Sequence, residues 1–168
     1  MKNYSSKLKA PFFWFPLITL IFSCNHQQQK LTPDQASNVK TSVTNLTVNI
    51  ASDVSTKGPI AWLNYFENSP DFFMASEGQI VFHNYASAQT FIQDTLTKNI
   101  SKIHLQWSHI RVNALSTQTA SIGSNFHEDM TIIASNKTIS VDGYFTATAI
   151  LTNNGWKLRN LHWSLKKL

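Results

Sequence analysis

The chain has 168 residues, 14 Lys+Arg against 9 Asp+Glu, a single cysteine and a hydrophobic share of 42%. One cysteine excludes an intrachain disulfide framework, so any folded unit must be held by its core alone. Three of the basic residues fall in the first nine positions, and without them the balance is 11 against 9, too even to argue for a nucleic-acid or other polyanionic partner.

Met1 to Lys9 carry three lysines and no acid, Ala10 to Phe22 are almost wholly apolar, and Ser23 precedes the lone Cys24. Basic, apolar, small, cysteine is the order of a secretory signal cut in front of the cysteine. The apolar run of about 13 residues is shorter than the roughly 20 a spanning helix needs, and Pro11 and Pro16 interrupt it. The segment resembles the lipobox of bacterial lipoproteins. That resemblance implies a signal peptide over 1–23, lipidation at Cys24, and a membrane partner reached through the acyl chains. It also implies a lipid-anchored place in the cell envelope, with Asn25 after the cysteine favouring the outer membrane in a diderm bacterium. Residues 24–31 are polar and have nothing to bury, so they read as a flexible tether. The folded unit is then 32–168, one domain of ordinary size.

Thr32-Pro33-Asp34-Gln35 reads as a helix start, with a capping threonine, proline at the first position and an acid in the first turn. Val39, Val43, Leu46, Val48, Ile50 and Val54 continue it as a helix over 34–56. Gly58-Pro59 breaks the pattern, and a short second helix is expected over 59–67. Short strands are expected over 71–76 and 79–82 about the Glu77-Gly78 turn, and a third helix over 86–100. Four long runs rich in Ile, Val, Thr, Trp and Phe follow, at 102–115, 119–132, 138–152 and 156–165, separated by turn residues. Helices first and a strand meander after them make an α+β chain, with the helices on one face of a curved antiparallel sheet of about four long strands.

Those elements resemble the NTF2-like superfamily, in particular its SnoaL-like and DUF4440-type domains. The likeness rests on Trp62-Leu63-Asn64-Tyr65-Phe66 leading into Phe72 to Gly78, on Leu105-Gln106-Trp107, and on Leu115 to Ala120. It continues through Asp142-Gly143-Tyr144-Phe145-Thr146 and Asn154 to Leu158, then His162-Trp163-Ser164. The resemblance implies a cone-shaped pocket between sheet and helices, and a homodimer through the outer face of the sheet. It leaves isomerases, dehydratases, hydrolases, assembly modules and plain binders all open. Glu77, at the position of the ketosteroid isomerase base, reads as a turn acid, and the first helix has no tyrosine, so an isomerase of that kind is disfavoured.

Strand alternation groups the polar candidates. Asn125, His127 and Asp129 share one face of their strand, opposite Phe126, Glu128 and Met130. Asp142 and Tyr144 oppose Gly143 and Phe145, while Trp156, Leu158, Asn160, His162 and Ser164 are expected together on one face of the last strand. Both faces carry polar and apolar residues, so which one lines the pocket stays open. His127 with Asp142 is the sharpest catalytic candidate, a carboxylate able to orient an imidazole as general base; the alternative is an exposed strand edge over His127-Glu128-Asp129. Trp62, Tyr65, Phe66, Phe73 and Trp107 are the candidate apolar lining, with Asn125, Tyr144, His162 and Ser164 as polar groups that orient a ligand. No serine sits in a nucleophile elbow, and His104 and His109 lie on opposite faces of one strand, so neither a serine nucleophile nor a metal is expected, and no cofactor. The reading that results is a membrane-anchored lipoprotein whose domain binds a small, largely apolar molecule. Its rivals are a SnoaL-like enzyme using the His/Asp pair for proton transfer or hydration-dehydration, and an envelope assembly module without a ligand.

Overall fold

The structure, a computed structural model, describes residues 30–166. The signal segment, Cys24 and most of the tether lie outside the described residues. No helix of the described residues is long and apolar enough to cross a membrane.

Helix α1 (Pro33–Lys57) starts where its capping chemistry is. The Thr32 hydroxyl accepts the Gln35 N–H and the Gln35 side chain accepts the Thr32 N–H, a closed capping box with Pro33 at the first position. Gly58, at φ 78°, ends it and donates its N–H to the Val54 carbonyl. The stripe Val39, Val43, Leu46, Ile50 and Val54 is buried along one side, and the helix packs on strand β3 (Ile100–Ser116), where Ser55 accepts the Leu105 N–H.

A 3₁₀ turn (Pro59–Asn64) follows, shorter than the helix expected over 59–67. Its last residues leave the helix to meet the final strand β6 (Gly155–Leu165): Glu67 donates its N–H to the Leu158 carbonyl, and Leu158 donates back to Tyr65. A backbone partner at the sheet outweighed one more helical turn. Strands β1 (Phe73–Ser76) and β2 (Gln79–Phe82) make the small hairpin. Helix α2 (Tyr85–Phe91) runs through a π-helical turn (Ile92–Leu96) into α3 (Thr97–Asn99). Strands β4 (Thr119–Ile132) and β5 (Thr138–Thr152) then complete a six-stranded sheet in the order β2-β1-β6-β5-β4-β3.

The sheet is mixed rather than antiparallel throughout. β1 lies parallel to β6, Phe73 opposite Asn160 and Ser76 opposite Trp163, while every other pairing is antiparallel. Two bulges bend it. One lies between Ser108 and Arg111, with His109 at φ 55°. The other puts Arg159 as an extra residue in β6, between pairs Thr148–Asn160 and Ala149–Leu158.

The second bulge corrects the expected facing of the last strand. Leu158 would share a face with Asn160, His162 and Ser164 on strict alternation. The inserted Arg159 shifts the phase, so Leu158 is fully buried with Leu161, opposite Ala149 and Ala147. The inward face of the sheet carries Ile103, Leu105, Trp107, Ile122, Phe126, Phe145, Leu161 and Trp163. Trp163 is the hub of this layer, its ring 4.4 Å from Phe126, 5.6 Å from Phe145 and 5.8 Å from Trp62. Gly143 makes the layer possible: a Cβ there would lie 2.2 Å from the Ser164 carbonyl oxygen and 2.4 Å from the Phe126 ring.

Candidate functional site

Between the inward face and the helices lies a cavity of about 190 Å³. The 3₁₀ turn and its exit supply Trp62 and Phe66, and the β1–β2 hairpin supplies Met74, Ser76 and Phe82. Phe91, Ile92 and Leu96 cover it from α2 and the π-helical turn, where the wider helical repeat sets a local break in the side-chain spacing. Ile103, Met130, Leu161 and Trp163 form the floor on the sheet.

One charged side chain lines this apolar cavity, Glu128. It is 7% exposed, sits between Phe126 and Met130 on β4, and pairs across the sheet with Leu105 on β3 and Val141 on β5. Burial alone raises its carboxyl pKa from 4.5 to about 7; no hydrogen bond or neighbouring charge contributes. Ser76 is the other polar lining residue. A carboxyl in such a place is half protonated near neutrality and short of a partner.

The outer face of the sheet is different in kind. Two depressions of about 630 and 600 Å³ lie there, sharing Tyr144. Asn125, His127, Asp142 and Ser164 line the first, with Tyr144; Phe73, Arg111 and His162 line the second. His127 and Asp142 face each other in register, the imidazole Nδ1 2.9 Å from the carboxylate, with Asp129 3.3 Å from Nε2. The hydrogen bond to Asp142 is the main reason the His127 pKa is raised, with Asp129 adding to it and partial desolvation opposing it. Ser140 hydrogen-bonds Asp129 in turn.

The structure therefore divides the residues singled out in the sequence. Trp62 and Phe66 line the cone cavity. Trp107 belongs to the aromatic layer beside it, 5.1 Å from Phe145, and its Nε1 is buried without a partner among the described residues. Tyr65 turns away, its hydroxyl donating to Asp53 at 2.7 Å; burial first, and that bond second, push its pKa up to about 12. His127 and Asp142 meet, as do Asn125, Tyr144 and Ser164 around them, on the side of the sheet opposite the cavity. Phe73 and His162 lie on that outer side too. Glu77 is a turn residue at φ 49° whose carboxylate accepts the Leu165 N–H. The alternative of an exposed edge over residues 127–129 fails at its middle residue, because Glu128 is buried. The sequence held a signal for it: an acid on the face shared by Phe126 and Met130, a place where an unpaired carboxylate is rare.

No protein-family model matches the chain, and no curated protein matches it in sequence. Solved structures match it in fold. An NTF2-like superfamily protein from Salmonella enterica serovar Typhimurium superposes with a TM-score of 0.68 at 17% identity, over 79% of this chain and 94% of that one. A scytalone dehydratase candidate from Novosphingobium aromaticivorans gives 0.69 at 9% identity, over 81% and 89%. The hexachlorocyclohexane dehydrochlorinase LinA-type3 from Novosphingobium barchaimii gives 0.64 at 10% identity, over 81% and 92%. At such identities the likeness is one of fold: the described chain has the NTF2-like cone.

Proposed function

We propose that the protein is an envelope lipoprotein, anchored through acylated Cys24, whose NTF2-like domain binds a small, largely apolar molecule in the cone cavity. The observation that supports the binding reading is the cavity itself: about 190 Å³ walled by aromatic and aliphatic side chains with a single carboxyl among them. Concave apolar space with one or two polar groups is the usual form of a small-molecule site. The anchor reading rests on the order of residues before Cys24. A second copy of the chain on the outer face of the sheet is the partner this fold suggests.

One observation favours a second reading, an enzyme of proton transfer or elimination. Glu128 holds a proton with a pKa of about 7, matched to acid–base work at neutral pH. Two of the fold neighbours carry names of elimination enzymes, a dehydratase and a dehydrochlorinase. On that reading the proton carrier in the cavity is Glu128, since His127 and Asp142 lie across the sheet from it. Backbone amide shifts on titration with toluene, a neutral apolar probe, test the binding reading. Shifts confined to residues around Trp62, Phe91, Leu96 and Trp163 are expected. No shifts, or shifts confined to the outer face, would overturn it.

A further inference from the structure

The cavity has one charge and no countercharge. No Lys, Arg or His is among its lining residues, and the ionisable neighbours of Glu128 on its own strand, His127 and Asp129, point to the opposite face with His104 and Asp142. Leu105 and Val141 flank it on the adjacent strands, and the covering helical segment presents Phe91, Ile92 and Leu96. A carboxyl more than nine-tenths buried, lining a cavity and without a partner among the described residues, lacks what a bound molecule could supply. The walls narrow the choice. Trp62, Phe66, Phe82, Phe91 and Trp163 contribute five aromatic rings to the same small space. Aromatic faces attract cations, most strongly where water is excluded. An anionic ligand would meet the like charge of ionised Glu128 with no Lys, Arg or His among the lining residues to offset it.

We propose that the cavity selects small apolar amines, the ligand's ammonium meeting the Glu128 carboxylate while its hydrocarbon part lies among the aromatic rings. This rests on the binding reading above and names the chemical class of its ligand. The pairing requires ionised Glu128, so a proton leaves the carboxyl for solvent whenever an ammonium binds to the neutral form. Amine affinity therefore rises with pH while the ammonium stays protonated. With half-ionisation near 7, the rise between pH 6 and pH 8 is about tenfold.

The test is calorimetric titration, in phosphate buffer, of three molecules of one shape: 2-phenylethylamine, 2-phenylethanol and phenylacetate. The amine is expected to bind at pH 8 at least tenfold tighter than the alcohol, with phenylacetate not binding. Glu128→Gln, close in shape and neutral, is expected to lose both the amine preference and its pH dependence. Amine and alcohol binding wild type equally, or phenylacetate binding best, would overturn the selectivity and leave the binding reading standing. Binding of none of the three would overturn both. The wild-type series decides these outcomes even if the variant folds poorly.

Discussion

Glu128 ties the chemistry of the cavity to the stability of the fold. In the unfolded chain its carboxyl ionises near 4.5, and in the fold only near 7, because burial disfavours the charge. The folded state thus binds more protons between those values, so the contribution of this group to stability falls as pH rises through that window. The size of the loss is on the order of 3 kcal/mol. Glu128→Gln is accordingly predicted to gain in stability relative to wild type from pH 4.5 to pH 8; chemical denaturation of both proteins across that range measures it, and a constant difference would refute it. His127 titrates with the same sign, over a window that opens at 6.5. Its raised pKa makes its ion pair with Asp142 a contribution present at low pH and lost as pH rises through the folded value. Asp142→Asn is predicted to lower the His127 pKa, followed through the imidazole proton shifts. At Gly143 the limit is space: an added methyl group meets the Ser164 backbone and the Phe126 ring. Gly143→Ala is predicted to cost about 1–3 kcal/mol in thermal or denaturant unfolding.

At the scale of elements, the parts that periodicity governs were legible and the parts set by distant partners were not. β4 and β5 begin and end where their Ile-, Thr- and Phe-bearing runs meet the Ser116-Thr117-Gln118, Asn136-Lys137 and Asn153-Asn154-Gly155 turns, as the residues suggest. α1 was equally legible from Thr32-Pro33 to Gly58. The parallel pairing of β1 with β6 was not, since it joins residues nearly ninety positions apart. Neither was the phase of β6, because nothing local marks Arg159 as a bulge. Its reason lies at Glu67, 9% exposed, whose carboxylate the Arg159 guanidinium grips with two hydrogen bonds, Nη2 at 2.6 Å from Oε1. That pair, with the Glu67 N–H on Leu158, clamps the exit of the 3₁₀ turn to the last strand and so sets Trp62 and Phe66 against the cavity. Glu67→Gln is predicted to destabilise the protein by about 1–3 kcal/mol. A loss of less than a few tenths in denaturant unfolding would show the clamp to be idle. The candidate site was half legible for the same reason. The cross-strand meeting of His127 and Asp142 follows from hairpin register, whereas the side of the sheet on which they meet depends on where α1 packs.

The whole molecule is a curved sheet with two working faces. The inner one is aromatic and lies under α1, the 3₁₀ turn and the α2 segment; the outer one is polar and studded with His127, Asp142, Tyr144 and His162. A tether and an acylated cysteine in front of such a domain would hold the cavity at a membrane surface. Cys24→Ser is predicted to move the protein from the membrane fraction to the soluble one, read by fractionation. The proposed binding function requires a ligand in the cavity. The most direct measurement is a native mass spectrum of the protein drawn from its own membranes, beside a Ser76→Trp variant that fills the cavity. A small-molecule adduct on the wild type that is absent from the variant is the predicted result. An empty wild-type protein, or the same adduct on both, would contradict it.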